Sequence, residues 1–264
     1  MRFTGERILP DIPELRATFL QSLAVYEFAR NYSGDRSVLD CGAGEGYGPA
    51  LLAESATHVV GLDYSAEAAQ YANRKYGPEH TNLRFLQGDA SRLPFSDGSF
   101  DVICCFQVLE HLDDGPGFLF EARRVLKPGG QLILTTPNRL WAGTGPNPHH
   151  VLEYSADELQ ELMEIVFPSV QMLGVHGSQR IMQYRARNRR IVGWLLRLDY
   201  FGLRYRLPDR ITEPIHATLT RVIRRFVGSR NPDSVADFTT ADFPINGQQV
   251  DRSIDLLAIA SSPD

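Results

Sequence analysis

Apolar and polar positions alternate along this 264-residue chain in two different periods. Short apolar runs rich in Val, Leu and Ile predict buried strands, and the stretches after them, with an apolar residue every three or four positions, predict helices. Strands are predicted over residues 37–41, 58–62, 83–86, 100–106, 131–136, 170–175 and 253–260. Helices are predicted over residues 13–32, 49–55, 66–76, 117–126 and 155–167, the last of which opens with a capping box.

This order of strands and helices predicts an α/β fold in which a parallel sheet is covered by helices on both faces. In such a sheet, ligands bind beyond the carboxyl ends of the strands, beside the point where the strand order reverses. The regular alternation stops after residue 175, and the next strand is predicted only at residue 253. A connection of that length predicts an inserted segment.

The net charge of −5 combines two oppositely charged parts of the chain. Residues 176–230 contain 13 Arg, no Lys and three acidic residues, which gives about +10 and leaves about −15 for the remainder. Within this basic range, residues 185–198 and 216–230 each place their apolar side chains on one face of a predicted helix. The composition alone does not identify what the arginines contact.

Other features of the chain exclude several classes of protein. The apolar runs are short, so no transmembrane helix is predicted, and the opening residues 1–7 lack the apolar core of a signal peptide. We therefore expect a cytoplasmic protein. Cys41, Cys104 and Cys105 have neither the spacing of a zinc site nor that of a disulfide framework, so we expect buried cysteines and no metal.

A glycine-rich loop follows the first predicted strand. Its glycines are Gly42, Gly44, Gly46 and Gly48. Glycines at such a turn let a ligand approach the backbone. The spacing does not fit the dinucleotide pattern G-x-G-x-x-G, because Tyr47 or Pro49 stands at the sixth position, which argues against a dehydrogenase. Asp40, just before the loop, would repel a phosphate and attract an ammonium or sulfonium group.

Acidic residues also follow the second and third predicted strands. Asp63 lies about 20 residues after the loop, where a carboxylate can accept hydrogen bonds from both ribose hydroxyls. Its alternative role is to cap the next helix, but Ser65 is better placed for that. Asp89 could accept a hydrogen bond from an adenine amino group. Three acids around one glycine loop predict a site for a positively charged nucleoside that carries no phosphate.

Seven motifs follow one another between residues 35 and 140. They are Val38–Gly46, Gly61–Ser65, Gly88–Ala90, Leu93–Asp101, Glu110–Leu112, Arg124–Gly130 and Thr136–Asn138. In this order and spacing they resemble the class I S-adenosylmethionine (SAM)-dependent methyltransferases, in particular the type 11 group. The resemblance implies a Rossmann-like, doubly wound α/β sheet of seven strands whose last strand is antiparallel.

The resemblance also implies that the cofactor is SAM and that the product is S-adenosylhomocysteine. Each part of the cofactor is then assigned to matching positions of this sequence. The methionine part would lie on Asp40, Gly42, Ala43, Gly44 and Gly46, the ribose on Asp63 with Tyr64 beside it, the adenine on Asp89 and Ala90, and the sulfonium beside Phe106 and Gln107.

Residues 147–155 follow the fifth predicted strand and should lie on the acceptor side of the cofactor. Their Asn-Pro-x-His-x-x-Glu-Tyr pattern resembles methyltransferases that modify sugars and related metabolites, and residues 4–10 resemble members linked to polysaccharide, glycolipid or natural-product assembly. A hydroxyl acceptor needs a base, for which His149 and His150 are the candidates. The alternative is that one of them tethers the loop through Glu153. For His111 we expect a role in the cofactor shell or in the structure rather than in catalysis.

These patterns divide the chain into three expected parts. Residues 1–34 form an N-terminal helical segment or lid, residues 35–175 with 250–264 form the SAM-binding core, and residues 176–249 form an Arg-rich helical insertion. The insertion is expected to be an acceptor lid or a homodimer contact. Its alternatives are to hold a phosphate- or lipid-bearing acceptor, with membrane contact near Trp194, or, less favoured, to bind nucleic acid.

The function that these expectations favour is transfer of a methyl group from SAM to an oxygen of a small molecule, sugar or glycan. Two alternatives remain open at this point. One is an N-methyltransferase of a small molecule, and the other is a non-catalytic SAM-binding partner domain.

Overall fold

A single mixed sheet of eight strands runs through the part of the chain that the computed structural model describes, residues 15–141, 150–187 and 236–263. The strands are β1 Ser37–Cys41, β2 His58–Asp63, β3 Leu83–Gln87, β4 Phe100–Phe106, β5 Leu126–Pro137, β6 Ser169–Val175, β7 Ile245–Asn246 and β8 Asp255–Ser261. The helices are α1 Arg16–Ser33, α2 Tyr47–Ala53, α3 Ala66–Tyr76, α4 Gly115–Val125 and α5 Ala156–Glu164, and residues 179–187 (α6) are also helical. None of these helices is long and apolar enough to cross a membrane.

The sheet has the order β3-β2-β1-β4-β5-β8-β6-β7. The strands from β1 to β5 pair in parallel, whereas β8 runs antiparallel to both β5 and β6. The expected count of seven strands is wrong for the described residues, because Ile245–Asn246 adds a short eighth strand on the edge, antiparallel to Gly174–Val175. A strand of two residues is too short to produce the alternation from which strands are predicted.

Helices cover both faces of the sheet, and each face has its own apolar core. On one face, side chains of α1, α2 and α3 such as Val25, Leu52 and Ala72 pack on the sheet. On the other face, side chains of α4 and α5 such as Phe118 and Leu159 do so. The central strands are buried on both faces, which explains why they appear in the sequence as continuous apolar runs.

The strand order reverses between β1 and β4. These two strands are neighbours, with Cys41 beside Cys105 at their carboxyl ends, although two other strands and two helices separate them in the chain. All three cysteines are buried, as expected. The chain segments that follow β1 and β4 therefore lie side by side at one edge of the sheet, where ligands of doubly wound folds bind.

The predicted Arg-rich insertion is described only at its two ends. Its two predicted amphipathic helices fall mainly in residues 188–235, which lie outside the described residues. At the ends, α6 and the turn at Thr240–Asp242 are joined by Arg180 and Asp242, whose side chains are 2.6 Å apart. Ile181 of α6 and Phe243 are buried in the core face formed by α1 to α3. Both described ends of the insertion are thus packed on the core.

Candidate active site

The glycine loop connects β1 to α2 and has an unusual backbone. Gly42, Gly44 and Gly46 all have positive φ, at 83°, 55° and 97°. A Cβ atom on Gly42 would lie 2.3 Å from the side chain of Val108, and one on Gly46 would lie 2.7 Å from Ala72. Only glycine fits these two positions, because both the conformation and the space exclude a side chain.

Gly44, at the centre of the loop, differs from its two neighbours. A Cβ atom there would have a single neighbour within 4 Å, the carbonyl oxygen of Gly42 at 3.9 Å. The loop is therefore open at Gly44, and its backbone is accessible to a ligand. The underside of the loop is fixed by Glu45, whose buried carboxylate accepts hydrogen bonds from Tyr71 at 3.0 Å and Lys75 at 2.9 Å.

Asp40, at the end of β1, is completely buried. Its Oδ2 accepts a hydrogen bond from the Tyr26 hydroxyl at 3.0 Å, and its Oδ1 has no hydrogen-bond partner among the described residues. Burial raises the pKa of Asp40 to about 8, against a lowering by the Tyr26 hydrogen bond, and the nearby charge of Asp63 raises it further. A buried carboxyl oxygen without a partner is costly, so this atom is suited to a cationic or hydrogen-bonding ligand.

Asp63, at the end of β2, is held by two backbone amides. Gly44 donates to its Oδ2 at 2.8 Å and Ser65 donates to its Oδ1 at 2.9 Å. Each oxygen keeps a lone pair for a further donor. Ser65 caps α3 by accepting from the Ala68 amide, as the sequence indicated, so Asp63 is not the capping residue. The next side chain, Tyr64, is 78% exposed.

Asp89 and Ala90 follow β3, next to the end of β2. Asp89 is exposed, and its Oδ1 accepts a hydrogen bond from the Ser91 amide at 2.9 Å. The Gly88 amide donates to the Asp63 carbonyl at 3.0 Å, which joins the ends of the two strands. The acids predicted after the first three strands are thus brought to one edge of the sheet.

Phe106 and Gln107 end β4 beside the glycine loop. The Phe106 ring meets the Tyr26 ring edge-on, with 4.9 Å between centroids. Gln107 has a φ of 57°, a conformation that a side chain other than Gly, Asn or Asp seldom adopts, and it is held there by a backbone hydrogen bond to Thr135 at 2.9 Å. Such strain is typical of functional positions.

A second group of polar side chains lies beyond β4. Glu110 follows the strand in a 3-10 turn and is 1% exposed, and its Oε2 accepts a hydrogen bond from the Thr136 hydroxyl at 3.0 Å. Burial raises the pKa of Glu110 to about 8. The Glu110 carbonyl also accepts from the Val151 amide at 2.7 Å. This contact fixes the segment that carries His150 against the end of β4.

His150 is mostly buried in this group, with its side chain 14% exposed. Its Nδ1 lies 2.7 Å from Oε1 of Glu153, and its ring meets that of His111 edge-on at 5.0 Å. The predicted pairing of a histidine with Glu153 is therefore present. His149, the other candidate base, lies outside the described residues.

Tyr26 is the residue near the glycine loop that the sequence patterns did not single out. It belongs to α1, and its ring fills the space left by the missing side chain of Gly48, with ring atoms about 2 Å from where a Cβ would be. A signal was present, since a tyrosine on the apolar face of a helix needs a partner for its hydroxyl. Its partner could not be identified without the fold.

Comparison with known proteins identifies the family. A family model described as a methyltransferase domain matches residues 39–134. A relative from Mycobacterium tuberculosis, named "Probable S-adenosylmethionine-dependent methyltransferase", is 32% identical over 276 residues, which cover 100% of this chain and 90% of the relative. The chain belongs to the SAM-dependent methyltransferases.

A second relative of this methyltransferase, from Mycolicibacterium smegmatis and with the same description, is 39% identical over 181 residues, which cover 66% of this chain and 69% of the relative. Solved structures share the fold. A SAM-dependent methyltransferase of Thermotoga maritima has a TM-score of 0.58 at 15% identity and covers 94% of this chain and 93% of its own.

Phosphoethanolamine N-methyltransferase 2 of Haemonchus contortus, in complex with phosphomonomethylethanolamine and S-adenosylhomocysteine, has a TM-score of 0.57 at 18% identity. It covers 92% of this chain and 53% of its own. The cofactor of this methyltransferase is SAM, as the motifs implied.

Proposed function

We propose that this methyltransferase transfers the methyl group of SAM to an oxygen of a small molecule, sugar or glycan. The observation that carries the proposal is the pair formed by His150 and Glu153, 2.7 Å apart beside the end of β4. A hydroxyl group must lose its proton as it attacks, and a histidine oriented by a carboxylate is a suitable base. An amine acceptor would need only to bind in its deprotonated form, so it would not require this pair as a base.

The cofactor is proposed to bind at the carboxyl edge of β1, β2, β3 and β4. The Oδ1 of Asp40, which has no hydrogen-bond partner in the described part of the chain, suits the ammonium of the methionine part, and the space beside Gly44 leaves room for it. The remaining loop residues Gly42, Ala43 and Gly46 would shape this part of the site. When bound, SAM supplies a methyl carbon activated by its sulfonium.

The rest of the cofactor is proposed to lie along the neighbouring strand ends. Asp63, held by two amides, has lone pairs left for the ribose hydroxyls, and the exposed ring of Tyr64 stands next to it. Asp89 and Ala90 would contact the adenine. Phe106 and Gln107 would border the sulfonium, since they end the strand next to the glycine loop.

His150 is proposed to accept the proton of the acceptor hydroxyl, with Glu153 holding the ring in place and stabilising its charged form. His149 is a second candidate base.

The insertion, residues 176–249, is proposed to cover the acceptor. The chain leaves the sheet at Val175 and returns to it at Ile245, which is paired with Val175. On its other side Val175 is paired with Asp255, the first residue of β8. Asp255 is also paired with Pro137, at the carboxyl end of β5. The insertion thus begins and ends at the edge that carries the glycine loop. Its arginines would then suit an acceptor that carries phosphate or lipid, and a homodimer contact is its alternative role.

The proposal is tested by measuring SAM binding and methyl transfer separately. Calorimetry with SAM should show binding, and labelled SAM should transfer its methyl group to hydroxylated sugars or glycans in preference to amines. His150→Ala should reduce turnover about 100-fold or more while SAM affinity stays near that of the wild type. Lys127→Ala, far from the site, is the matched control. Binding of SAM without any transfer would favour a non-catalytic partner domain, and a loss of stability alone in His150→Ala would exclude its role as a base.

A further inference from the structure

Glu110, His111 and His150 form a cluster with the composition of a metal site. Each offers one ligand atom, and these three atoms all lie within 4.8 Å of one another. Glu110 is buried, and the two histidines are partly buried. Neighbouring positions of the chain supply the first two ligands, and the segment before α5 supplies the third. The cysteine spacing predicted no metal, but this cluster contains no cysteine.

The hydrogen bonds around the cluster orient two of its ligands. The Nδ1 of His150 lies 2.7 Å from Oε1 of Glu153, which orients the imidazole ring. Histidines that bind metals commonly donate their other ring N–H to a carboxylate in this way. Glu110 accepts from the Thr136 hydroxyl through Oε2, which fixes its carboxylate.

The backbone holds the two segments of the cluster together. The Val151 amide donates to the carbonyl of Glu110 at 2.7 Å, directly beside His150. The rings of His111 and His150 stand nearly perpendicular, at 79°, with 5.0 Å between centroids. In a tetrahedral site with metal–ligand bonds of about 2.1 Å, the ligand atoms are about 3.4 Å apart. The three atoms here lie within 4.8 Å of one another, so side-chain rotations that move each atom by about 1 Å would bring them to a common cation.

We propose that Glu110, His111 and His150 bind one divalent cation of the first transition row. Two imidazoles favour such a cation over Mg²⁺ or Ca²⁺, which prefer oxygen ligands, and the carboxylate supplies a negative charge. Three ligands from the protein leave coordination positions open, as in metal sites that bind a substrate.

The task of the cation at this place rests on the proposed function. An acceptor hydroxyl that binds the cation loses its proton more easily, because the cation lowers the pKa of the hydroxyl. His150 is then a ligand and not the base, and the proton passes to water. The methyl transfer is otherwise unchanged. In the cation-free protein His150 keeps the role of the base.

The experiment is a titration of the EDTA-treated full chain with Mn²⁺, followed by electron paramagnetic resonance and without SAM or acceptor. The signal of free Mn²⁺ should fall until one cation is bound per chain, and Zn²⁺ should displace it. Glu110→Gln and His150→Gln should each weaken the affinity more than about 100-fold, and Glu153→Gln should weaken it about 10- to 100-fold, as loss of a carboxylate behind a ligand does.

Asp113→Asn is the matched control, since this exposed carboxylate lies two positions after His111 and outside the cluster. It should bind Mn²⁺ like the wild type. His150→Gln, at a loop position, stands in for Glu110→Gln if the buried substitution prevents folding, which SAM binding by each variant would show. The proposal is overturned if the wild type binds neither Mn²⁺ nor Zn²⁺, or if His150→Gln and Glu153→Gln bind Mn²⁺ as tightly as Asp113→Asn.

Failure of this site and failure of the proposed function give different results. A wild type that transfers methyl groups to hydroxyls but binds no cation retains the function and loses the cation site. A wild type that binds the cation but transfers no methyl group to any hydroxyl retains the site and loses the function.

Discussion

Asp40 combines complete burial with a carboxyl oxygen that lacks a partner among the described residues. Its pKa of about 8 lies well above the ordinary value of 3.8 because burial disfavours the charged form. The ligand-free folded protein therefore holds a proton at this residue at neutral pH, whereas the unfolded chain does not. A buried acid that stays neutral until a cation arrives avoids the cost of an uncompensated charge in the core.

The pH dependence of folding tests this protonation state. Because the folded-state pKa is raised, the contribution of Asp40 to the free energy of unfolding is complete below about pH 4 and is lost as the pH rises through about 8. Between pH 5.5 and 7.5, the wild type should lose about 2 to 3 kcal/mol more stability than Asp40→Asn, whose amide does not titrate. Urea unfolding of both proteins at the two pH values measures the difference.

Other buried acids do not affect the difference in pH-dependent stability between the wild type and Asp40→Asn. Burial also raises the pKa of Glu110 to about 8 and that of Asp255 to about 6, but both groups remain in the wild type and in the variant. Equal pH dependence in the two proteins would show that Asp40 is already ionised without ligand.

The structure also explains two of the sequence motifs at the scale of single residues. The Thr136 hydroxyl donates to Glu110, and the Asn138 side chain donates to the carbonyls of Asp251 and Ser253 at 3.1 and 3.0 Å. The motifs at residues 110–112 and 136–138 are thus partners in space. The partners of these contacts, like Tyr26 and Asp40, lie far apart in the chain, so the sequence pattern could not predict that they meet.

At the scale of the element, the glycine loop is held by side-chain contacts at some of its residues and has free space at others. An added Cβ atom would meet side chains at Gly42 and Gly46 but not at Gly44, and the Glu45 carboxylate is hydrogen-bonded to side chains of α3. Of these three glycines, Gly44 is therefore the position where a side chain can be added without a clash, so a substitution there tests contact with the ligand.

Two substitutions separate ligand contact from backbone strain in this loop. Gly44 and Gly98 both have positive φ, 55° and 63°, and both have room for a Cβ atom. Alanine at either position should cost about 1 kcal/mol of stability, since each forces a side chain into the left-handed region. Only Gly44→Ala should also weaken SAM binding, about tenfold or more, as measured by calorimetry beside thermal unfolding. Equal SAM affinity in the two variants would show that the cofactor does not approach Gly44.

Element boundaries show what the sequence could and could not predict. The helix after Ser155 begins at its predicted capping box, because both hydrogen bonds of the box form. The second helix begins at Tyr47, two residues earlier than predicted, since Gly46 with its positive φ ends the loop there. Strand β5 begins at Leu126 rather than near residue 131, because Leu126 already pairs with Phe100 of β4. The register then shifts across the Pro-Gly-Gly stretch, which predicted a turn, and pairing resumes at Gln131 opposite Val102.

At the scale of the whole molecule, the structure places two groups of polar residues along one edge of the sheet. The loop after β1 and the acids after β2 and β3 lie on one side, and Glu110, His111 and His150 lie beyond β4. The fold was predictable because its strands are buried and regular. The acceptor side was not, since its shape depends on contacts between distant segments.

Replacing residues 188–235 with a short flexible linker tests the role of the insertion. The described ends, held by Arg180 and Asp242, should stay packed on the core, so SAM affinity should remain near that of the wild type. Methyl transfer to the acceptor should fall at least tenfold, because substrate positioning is lost. Calorimetry and labelled transfer measure the two effects. Unchanged transfer would instead assign the insertion to subunit contact, which sedimentation of both proteins would reveal.

The pairing of Val175 with Ile245 has a further consequence for how such proteins diversify. The chain leaves the sheet at Val175 and rejoins it at Ile245 on the neighbouring strand, so these two residues are only about 5 Å apart whatever lies between them. Closing a loop between fixed ends costs about 0.6 kcal/mol for each doubling of its length. Segments of very different length can therefore be exchanged at this position with little effect on folding, and, if the insertion covers the acceptor as proposed, such exchanges would change the acceptor without altering the sheet.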